Sequence, residues 1–424
     1  DNLKIRLSYG SLGNQQIGYY DFIQTITTKG SMSDYSFDGT VLGQHATVSD
    51  PVSGDQTWEK VVSKNLGLDL NMFNNRLSLT TDFYIRDTKG ILGKGKSLPS
   101  IYGASEPQMN ANNLRTKGYE LVLGWRDSFK LAGSTFSYGI TGTFSDYTAE
   151  YTKCDNPTGL IGDPYVGKKY GEIWGYKVDG LFRNDKEAAE YASRIDLSTV
   201  ASGYYTATGA YGKGVRGGDI KYLDLNGDNI VNGGKGTLED PGDRRVIGNS
   251  SPRYQYGATL NFSWYGFDVS VFMQGIGRLD WYPGADNLRF WGPYCRPYAT
   301  FVPKNFMSQV WSEENPDAYF PRARAYTSLN SNSGTAYYTN DRYLQNLAYC
   351  RLKNLTIGYT IPRRLTSKVG IKECRIYFSG ENLATWSALK SDFLDPEQAA
   401  ADSDKKANVY PWCKTYSIGL NLTF

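Results

Sequence analysis

Strand-like segments that alternate apolar with small or polar residues return along the whole 424-residue chain. Short and long connections take turns between them. No apolar run approaches the ~18 residues that a membrane-crossing helix needs. These three features predict an all-β fold: an up-and-down transmembrane barrel of the outer-membrane type, with ten antiparallel strands in this chain and long extracellular loops.

The ten strands are expected at 2–10, 62–73, 76–88, 114–127, 133–146, 254–264, 266–276, 347–361, 372–383 and 414–424. The alternation is clearest in the later ones. Leu77, Leu79, Thr81, Phe83 and Ile85 oppose Ser78, Thr80, Asp82 and Tyr84. Phe136, Tyr138, Ile140 and Phe144 oppose Ser137, Gly139, Thr141 and Thr143. Tyr254, Tyr256, Ala258, Leu260, Phe262 and Trp264 oppose Gln255, Gly257, Thr259, Asn261 and Ser263. Phe267, Val269, Val271 and Met273 oppose Asp268, Ser270 and Gln274, with Phe272 as the exception. The final strand places Tyr416, Ile418, Leu420, Leu422 and Phe424 on one side and Thr415, Ser417, Gly419, Asn421 and Thr423 on the other. Period-two patterning puts each set on its own face of a sheet. Asp82 and Glu381 fall on the inward face, as a watery or plugged lumen allows.

The connections carry the topology. Asn74-Asn75, Asp127 to Ala132, Tyr265 and Pro362 to Ile371 are short links. Asn tolerates the positive φ of a two-residue hairpin turn. The other links, 11–61, 89–113, 147–253, 277–346 and 384–413, are long. All short turns then lie on one rim and all long loops on the other, the periplasmic and extracellular asymmetry of an outer-membrane barrel. A loop as long as 147–253 is expected to be folded rather than structureless. It holds a helix-like stretch from Asp185 to Ile195. Loop 277–346 is rich in aromatics.

Composition narrows the function. A net charge of +3 argues against a dedicated nucleic-acid binder. The one histidine, His45, sits in a polar loop, and neither a nucleophile elbow nor a phosphate-cradling loop is present. An enzyme is not expected. The five cysteines have neither a pairing motif nor metal spacing. Asp1 begins almost inside a strand, so further protein is expected upstream.

The sharpest local motif is Asp224-Leu-Asn226-Gly227-Asp228-Asn-Ile230. Oxygen-bearing side chains at alternate positions, with glycine for the turn, match the first half of a calcium loop. Asp224, Asn226 and Asp228 would bind by side chain and Ile230 by its carbonyl. The twelfth position is Lys235, which cannot serve, so the closing carboxylate is expected from Asp243, with Glu239 and Asp240 as alternates. Such a donor set suits Ca²⁺ or Mg²⁺, in a role that pins the loop. For contact with a ligand or partner the loop aromatics Tyr170, Trp174, Trp281, Trp291 and Trp311 are the candidates. The competing reading is that these rings pack the loops onto themselves.

Several blocks resemble a known family. LKIRLSYGSLGNQQIG (3–18), GDIKYLDLNGDNIV (218–231), Asp243-Arg244-Arg245-Val246-Ile247-Gly248, RLKNLTIGYTIP (351–362), YFSGENLATWS (377–387) and YPWCKTYSIGLNLTF (410–424) are similar to the C-terminal part of the barrel of SusC/RagA-type TonB-dependent outer-membrane transporters from Bacteroidetes. The blocks are spread from end to end. The resemblance implies a barrel of about 22 strands, of which these ten would be the last, with a plug domain absent from this chain. It implies energy-coupled import of oligosaccharides or oligopeptides and a SusD-type surface lipoprotein that closes over the loops. The TonB complex would act through the missing part. The glycine-lysine stretch at 233–236 departs from the usual metal loop. The alternatives are a β-rich surface receptor or adhesin that binds without transport, and a passive porin.

Overall fold

The computed structural model describes the chain apart from residues 15–22, 30–35, 38–39, 42–44, 55, 95–98, 207–213, 296–301, 303, 325–328, 330–333, 392 and 402–409. His45 opens the short strand His45–Val48, and its side chain lies outside the described residues.

Ten strands form one antiparallel sheet in which spatial order follows chain order. They are β1 (Asn2–Asn14), β2 (Glu59–Met72), β3 (Leu77–Lys94), β4 (Gln108–Leu131), β5 (Ser134–Lys153), β6 (Arg253–Trp264), β7 (Phe267–Arg278), β8 (Tyr349–Thr360), β9 (Glu373–Ser387) and β10 (Thr415–Thr423). Among the described residues β1 pairs only with β2, and β10 only with β9. The ten strands therefore form an open wall with two free edges.

The alternation of short and long connections stands as the sequence predicts. One of the short turns is tighter than expected. Asp127 to Ala132 was expected as a loop, but β4 runs on to Leu131, which pairs with Ser134 across Ala132-Gly133. The turn's two residues have φ of 50° and 87°. That is the hairpin geometry whose twist matches the flanking strands. Phe129 and Phe136 meet across this end at 5.4 Å and hold the extra length in register. Tyr265 and Gly266 turn in the same way (φ 48° and 81°), and Phe73, Asn74 and Asn75 all have positive φ.

The two faces differ as the patterning requires. Leu3, Ile5, Leu7 and Tyr9 of β1 and Tyr416, Ile418, Leu420 and Leu422 of β10 are exposed on the outward face. The inward face is polar: Arg6, Gly67, Asp82, Glu120, Ser145 and Gln255 lie in one cross-strand row. Arg6 donates to Asp69 (2.9 and 3.1 Å) and to Asp82 (2.9 and 2.8 Å). It can do so because Gly67 leaves room: a Cβ there would stand 2.5 Å from the guanidinium carbon. Phe272, the exception in the alternation, lines the inward wall beside Gln274 and Glu120.

Aromatic rings gather at two heights. Near the short turns lie Phe73 with Trp125, Phe129 with Phe136 and Tyr138, and Phe267 with Tyr359. Higher up, Phe83, Tyr119, Phe144 and Tyr254 form a chain at 6.4, 5.9 and 6.4 Å. Tyr119 and Phe129 are ten residues apart on β4, ~33 Å along the strand. At a tilt of about 40° that is ~25 Å in height, the apolar band of an outer-membrane barrel.

The hydrophobic core lies beyond the sheet. One buried cluster runs from Tyr176 to Leu347 and takes in Leu394 and Ala399, so three of the long connections pack together as a cap on one rim. Two-stranded antiparallel ribbons between distant segments organise it: Glu172–Tyr176 pairs with Arg244–Asn249, and Val178–Leu181 with Ile220–Tyr222. Helix α1 (Asp185–Ala192) starts where Asn184 Oδ1 accepts the Glu187 N–H at 2.9 Å. Glu187 answers by accepting the Arg183 N–H at 2.7 Å. This is reciprocal capping of otherwise orphaned donors.

Candidate functional site

The five aromatic candidates separate in the structure. Trp291 is fully buried, its Nε1–H donating to the Gly284 carbonyl at 3.0 Å. Trp311 is buried under Gly218 and Arg322, whose guanidinium carbon is 4.6 Å from the ring centroid. These two rings hold the cap together. Tyr170 is exposed on the surface, and its carbonyl accepts from Asn249 and Ser251. Trp174 and Trp281 come together. They line a cavity of ≈ 710 Å³ with Leu279, Tyr282 and Tyr337.

Two elements build this cavity. The short strand Glu172–Tyr176 presents Trp174, and the two-residue strand Asp280–Trp281 presents Trp281. Gly175 lets its strand lie against Thr339, whose carbonyl oxygen would be 2.6 Å from a Cβ. The Trp174 Nε1–H donates to Glu172 at 3.3 Å. Glu172 also accepts from the Tyr165 hydroxyl. Burial, and then that carboxylate, push the Tyr165 phenol up to about 12. Tyr282 donates to the Tyr338 carbonyl (3.0 Å) and accepts from Asn340 (3.0 Å). Trp281 Nε1 is buried and has no partner among the described residues. Trp281 is therefore part of the cavity's floor, and the half-buried Trp174 is the ring placed to stack on an extended molecule.

The acidic turn is compact. Asp224 accepts the N–H groups of Gly227 (2.8 Å) and Asn229 (2.9 Å). Asn226 accepts from Asp228 (3.1 Å), and Asp228 from Ile230 (2.8 Å). Asp243 is fully buried and draws in the N–H groups of Leu225 (2.7 Å), Asn226 (3.4 Å) and Asn232 (2.9 Å). Asp243 therefore closes the turn, whereas Glu239 is exposed and Asp240 accepts within its own turn, from Gly242. Among the described residues no three His, Cys, Asp or Glu side chains are gathered as a ready cage. The donor set is instead two aspartates and one amide on a short turn, with a buried aspartate behind it. A carboxylate oxygen that takes one N–H keeps a lone pair, so these oxygens could still hold a hard cation.

Two ionic clusters were not anticipated from the sequence. Arg351 on β8, 2% exposed in its side chain, donates to Asp395 (2.7 Å), Glu397 (2.6 Å) and Thr385 (2.9 Å). Lys353 and Gln274 also reach Glu397 (3.2 and 3.3 Å). This cluster fastens the last long connection to the inner wall. Inside the cap, Arg324 pairs with Asp219 at 2.6 Å with both side chains buried. Burial outweighs the arginine and pushes the Asp219 carboxyl up to about 6. An arginine at an inward strand position and the Asp395-Pro-Glu397 triplet were the available signals, but nothing in their spacing joins them.

No protein-family model matches the chain. It is similar to TonB-dependent receptor P3 of Formosa agariphila, 26% identical over 99% of this chain and 39% of the relative. TonB-dependent receptor P26 of the same organism is 27% identical over 100% of this chain and 40% of the relative. TonB-dependent receptor SusC of Bacteroides thetaiotaomicron is 22% identical over 100% and 38%. Among solved structures, the RagAB peptide transporter superposes with a TM-score of 0.67 at 22% identity, over 100% of this chain and 41% of that one. The chain spans about two fifths of the length of the curated relatives it matches. The relatives are receptors and a transporter, not enzymes. The fold is that of an outer-membrane transporter barrel.

Proposed function

We propose that this chain, part of the barrel of a SusC/RagA-type TonB-dependent transporter, serves energy-coupled import of an oligosaccharide or oligopeptide across the outer membrane of a Bacteroidetes-like bacterium. The observation that carries the reading is the union of an open ten-stranded wall with a folded cap confined to its long-loop rim. A wall with two free edges calls for further strands, which the rest of a larger barrel would supply. Those strands, and a plug reached by the TonB complex, come from upstream sequence or another polypeptide. The cap is a folded unit with Tyr170 and Tyr337 exposed on its surface, and a SusD-type lipoprotein would close over it.

Within the cap the cavity beside Trp174 and Trp281 is the ligand site. The half-buried Trp174 ring gives sequence-tolerant contact area. The turn at Asp224, Asn226, Asp228, the Ile230 carbonyl and Asp243 takes a structural Ca²⁺, with Mg²⁺ as the weaker fit because it demands near-ideal octahedral geometry.

The test is uptake by cells and binding by the detergent-extracted complex, using defined oligosaccharide and oligopeptide panels. Uptake of one class should stop when the proton gradient is discharged, and Trp174→Ala should weaken its binding about tenfold, ~1.4 kcal/mol. Uptake indifferent to the gradient would replace active import with passive diffusion. Binding without uptake would leave a surface receptor.

A further inference from the structure

The outward face of β2–β4 changes character at one height. Below it lie Leu66, Phe83 and Tyr119, opposite one another in a single row. The next row up on this face reads Lys64, Ile85, Lys117. Above that Asp87 faces Arg115, and higher still Lys60 faces Lys89 directly. All five cations are exposed. Two carboxylates share the patch. Asp87 is taken by Arg115 at 2.7 Å, and Glu150 stands opposite Arg115 on β5. Lys60, Lys64, Lys89 and Lys117 make no ion pair with any described residue. Like charges placed opposite each other destabilise a sheet unless something screens them.

The height of the change is informative. Lys64 is eight residues above Met72 at the short-turn end, ~26 Å along the strand. With a tilt of about 40° that is ~20 Å, near the top of the ~25 Å apolar band. Lys60, twelve residues up, stands ~30 Å above the turn, past the band. The lysines thus sit at the outer head-group level of the membrane. Lys64 and Lys117 flank Ile85 two strand spacings apart, ~10 Å. They border a groove of ≈ 850 Å³ on the same face, whose apolar lining is Leu7, Leu66, Phe83 and Ile85 with the rings of Tyr9 and Tyr119. Its edge is closed by Asp146, whose two oxygens are both held by Arg253 at 2.6 Å.

We infer that this face of β2–β4 is a binding site for an outer-leaflet lipid with a phosphorylated head group. The apolar groove takes acyl chain, and Lys60, Lys64 and Lys117 take phosphate. A free anion would leave the groove unused, and a neutral lipid would leave the lysines repelling one another. The inference rests on the outer-membrane placement of the fold and is independent of what is imported.

The test uses the native complex in mild detergent, titrated with bis-phosphorylated lipid A, with the same lipid after phosphate removal, and with inorganic phosphate. Native mass spectrometry counts the bound lipid. The phosphorylated lipid should bind at least about tenfold tighter than the dephosphorylated one. The triple variant K60Q/K64Q/K117Q should lose that preference, while Lys368→Gln near the opposite rim keeps it. Heat-modifiable gel mobility verifies that each barrel is folded. Equal binding of the two lipids would overturn the inference. So would displacement of the lipid by millimolar inorganic phosphate, which would mark a simple anion site. A protein that binds the lipid but imports nothing would leave this inference intact and remove the transport reading.

Discussion

Replacing Arg351 with methionine should release the last long connection from the inner wall while the wall stays folded. Arg351 is 2% exposed, and its partners Asp395 and Glu397 are 9% and 20% exposed. Removing one member of a buried ionic cluster costs ~3–5 kcal/mol, because the remaining charge is stranded. Here the lower end applies. Glu397 keeps Lys353 at 3.2 Å, and Asp395 can reach water once its connection lifts. A cost of ~3 kcal/mol corresponds to about a hundredfold rise in the open population. Hydrogen exchange reads this directly. The Ala399 amide donates to the Asp395 carbonyl at 2.8 Å and the Ala401 amide to Gln398 at 3.0 Å, so both should exchange about a hundredfold faster. Amides of β3 and β4 should not change. Exchange at Ala399 within about threefold of the parent would refute the latch. A double-mutant cycle with Asp395→Asn then isolates the pair, and a coupling near zero would show that Arg351 acts through packing alone.

Calcium should protect the Asp224–Asp243 turn. At a hundred times its dissociation constant it should add ~2.7 kcal/mol to the cap, measured as a shift in thermal unfolding that Asp243→Asn abolishes. No shift up to millimolar calcium would leave the turn held by hydrogen bonds alone. The buried Asp219 gives a pH dependence of defined sign. Its folded value, about 6, lies above the ordinary 3.8. Its contribution is therefore full below about pH 4 and is lost as pH rises through about 6, ~3 kcal/mol in all. Exchange of the Phe182 amide, which donates to the Asp219 carbonyl at 3.0 Å, should accelerate over that window beyond the intrinsic rate; a flat profile would contradict the assignment. Gly242→Ala should destabilise the same region by ~1–3 kcal/mol in urea unfolding. Its φ is 58°, and a Cβ would collide with the Asn232 carbonyl oxygen. An unchanged midpoint would show that the turn can relax.

The wall was legible because its signal is local. Alternation over ten residues fixes a strand, and Asn74-Asn75 or Tyr265 fixes a turn. The boundaries were read short at the long-loop rim. β4 was expected from 114 but starts at Gln108, and β1 runs to Asn14 rather than 10. There both faces meet water, so the contrast that marks a strand fades into runs such as Asn112-Asn113. The cap was legible only in outline. Its rings were visible, but which of them face a cavity depends on contacts between distant segments. Trp174 and Trp291 look alike in sequence; one stands half-buried at a cavity and the other is sealed in the core. Arg351 and its two carboxylates are more than forty residues apart, and no periodicity connects them.

The buried cluster sits wholly outside the bilayer, so two halves of one chain answer to different solvents. Unfolding the cap exposes Phe182, Tyr222, Trp291 and Tyr343 to water, which carries a positive heat-capacity change. Detaching strands from lipid exposes little new apolar surface to water. Calorimetry should therefore resolve a cap transition that bends with temperature from a wall transition that stays nearly straight. Chilling and pressure, which weaken aqueous burial, should loosen the cap over an intact wall. Cold would thus act first on the capped rim and last on the strands.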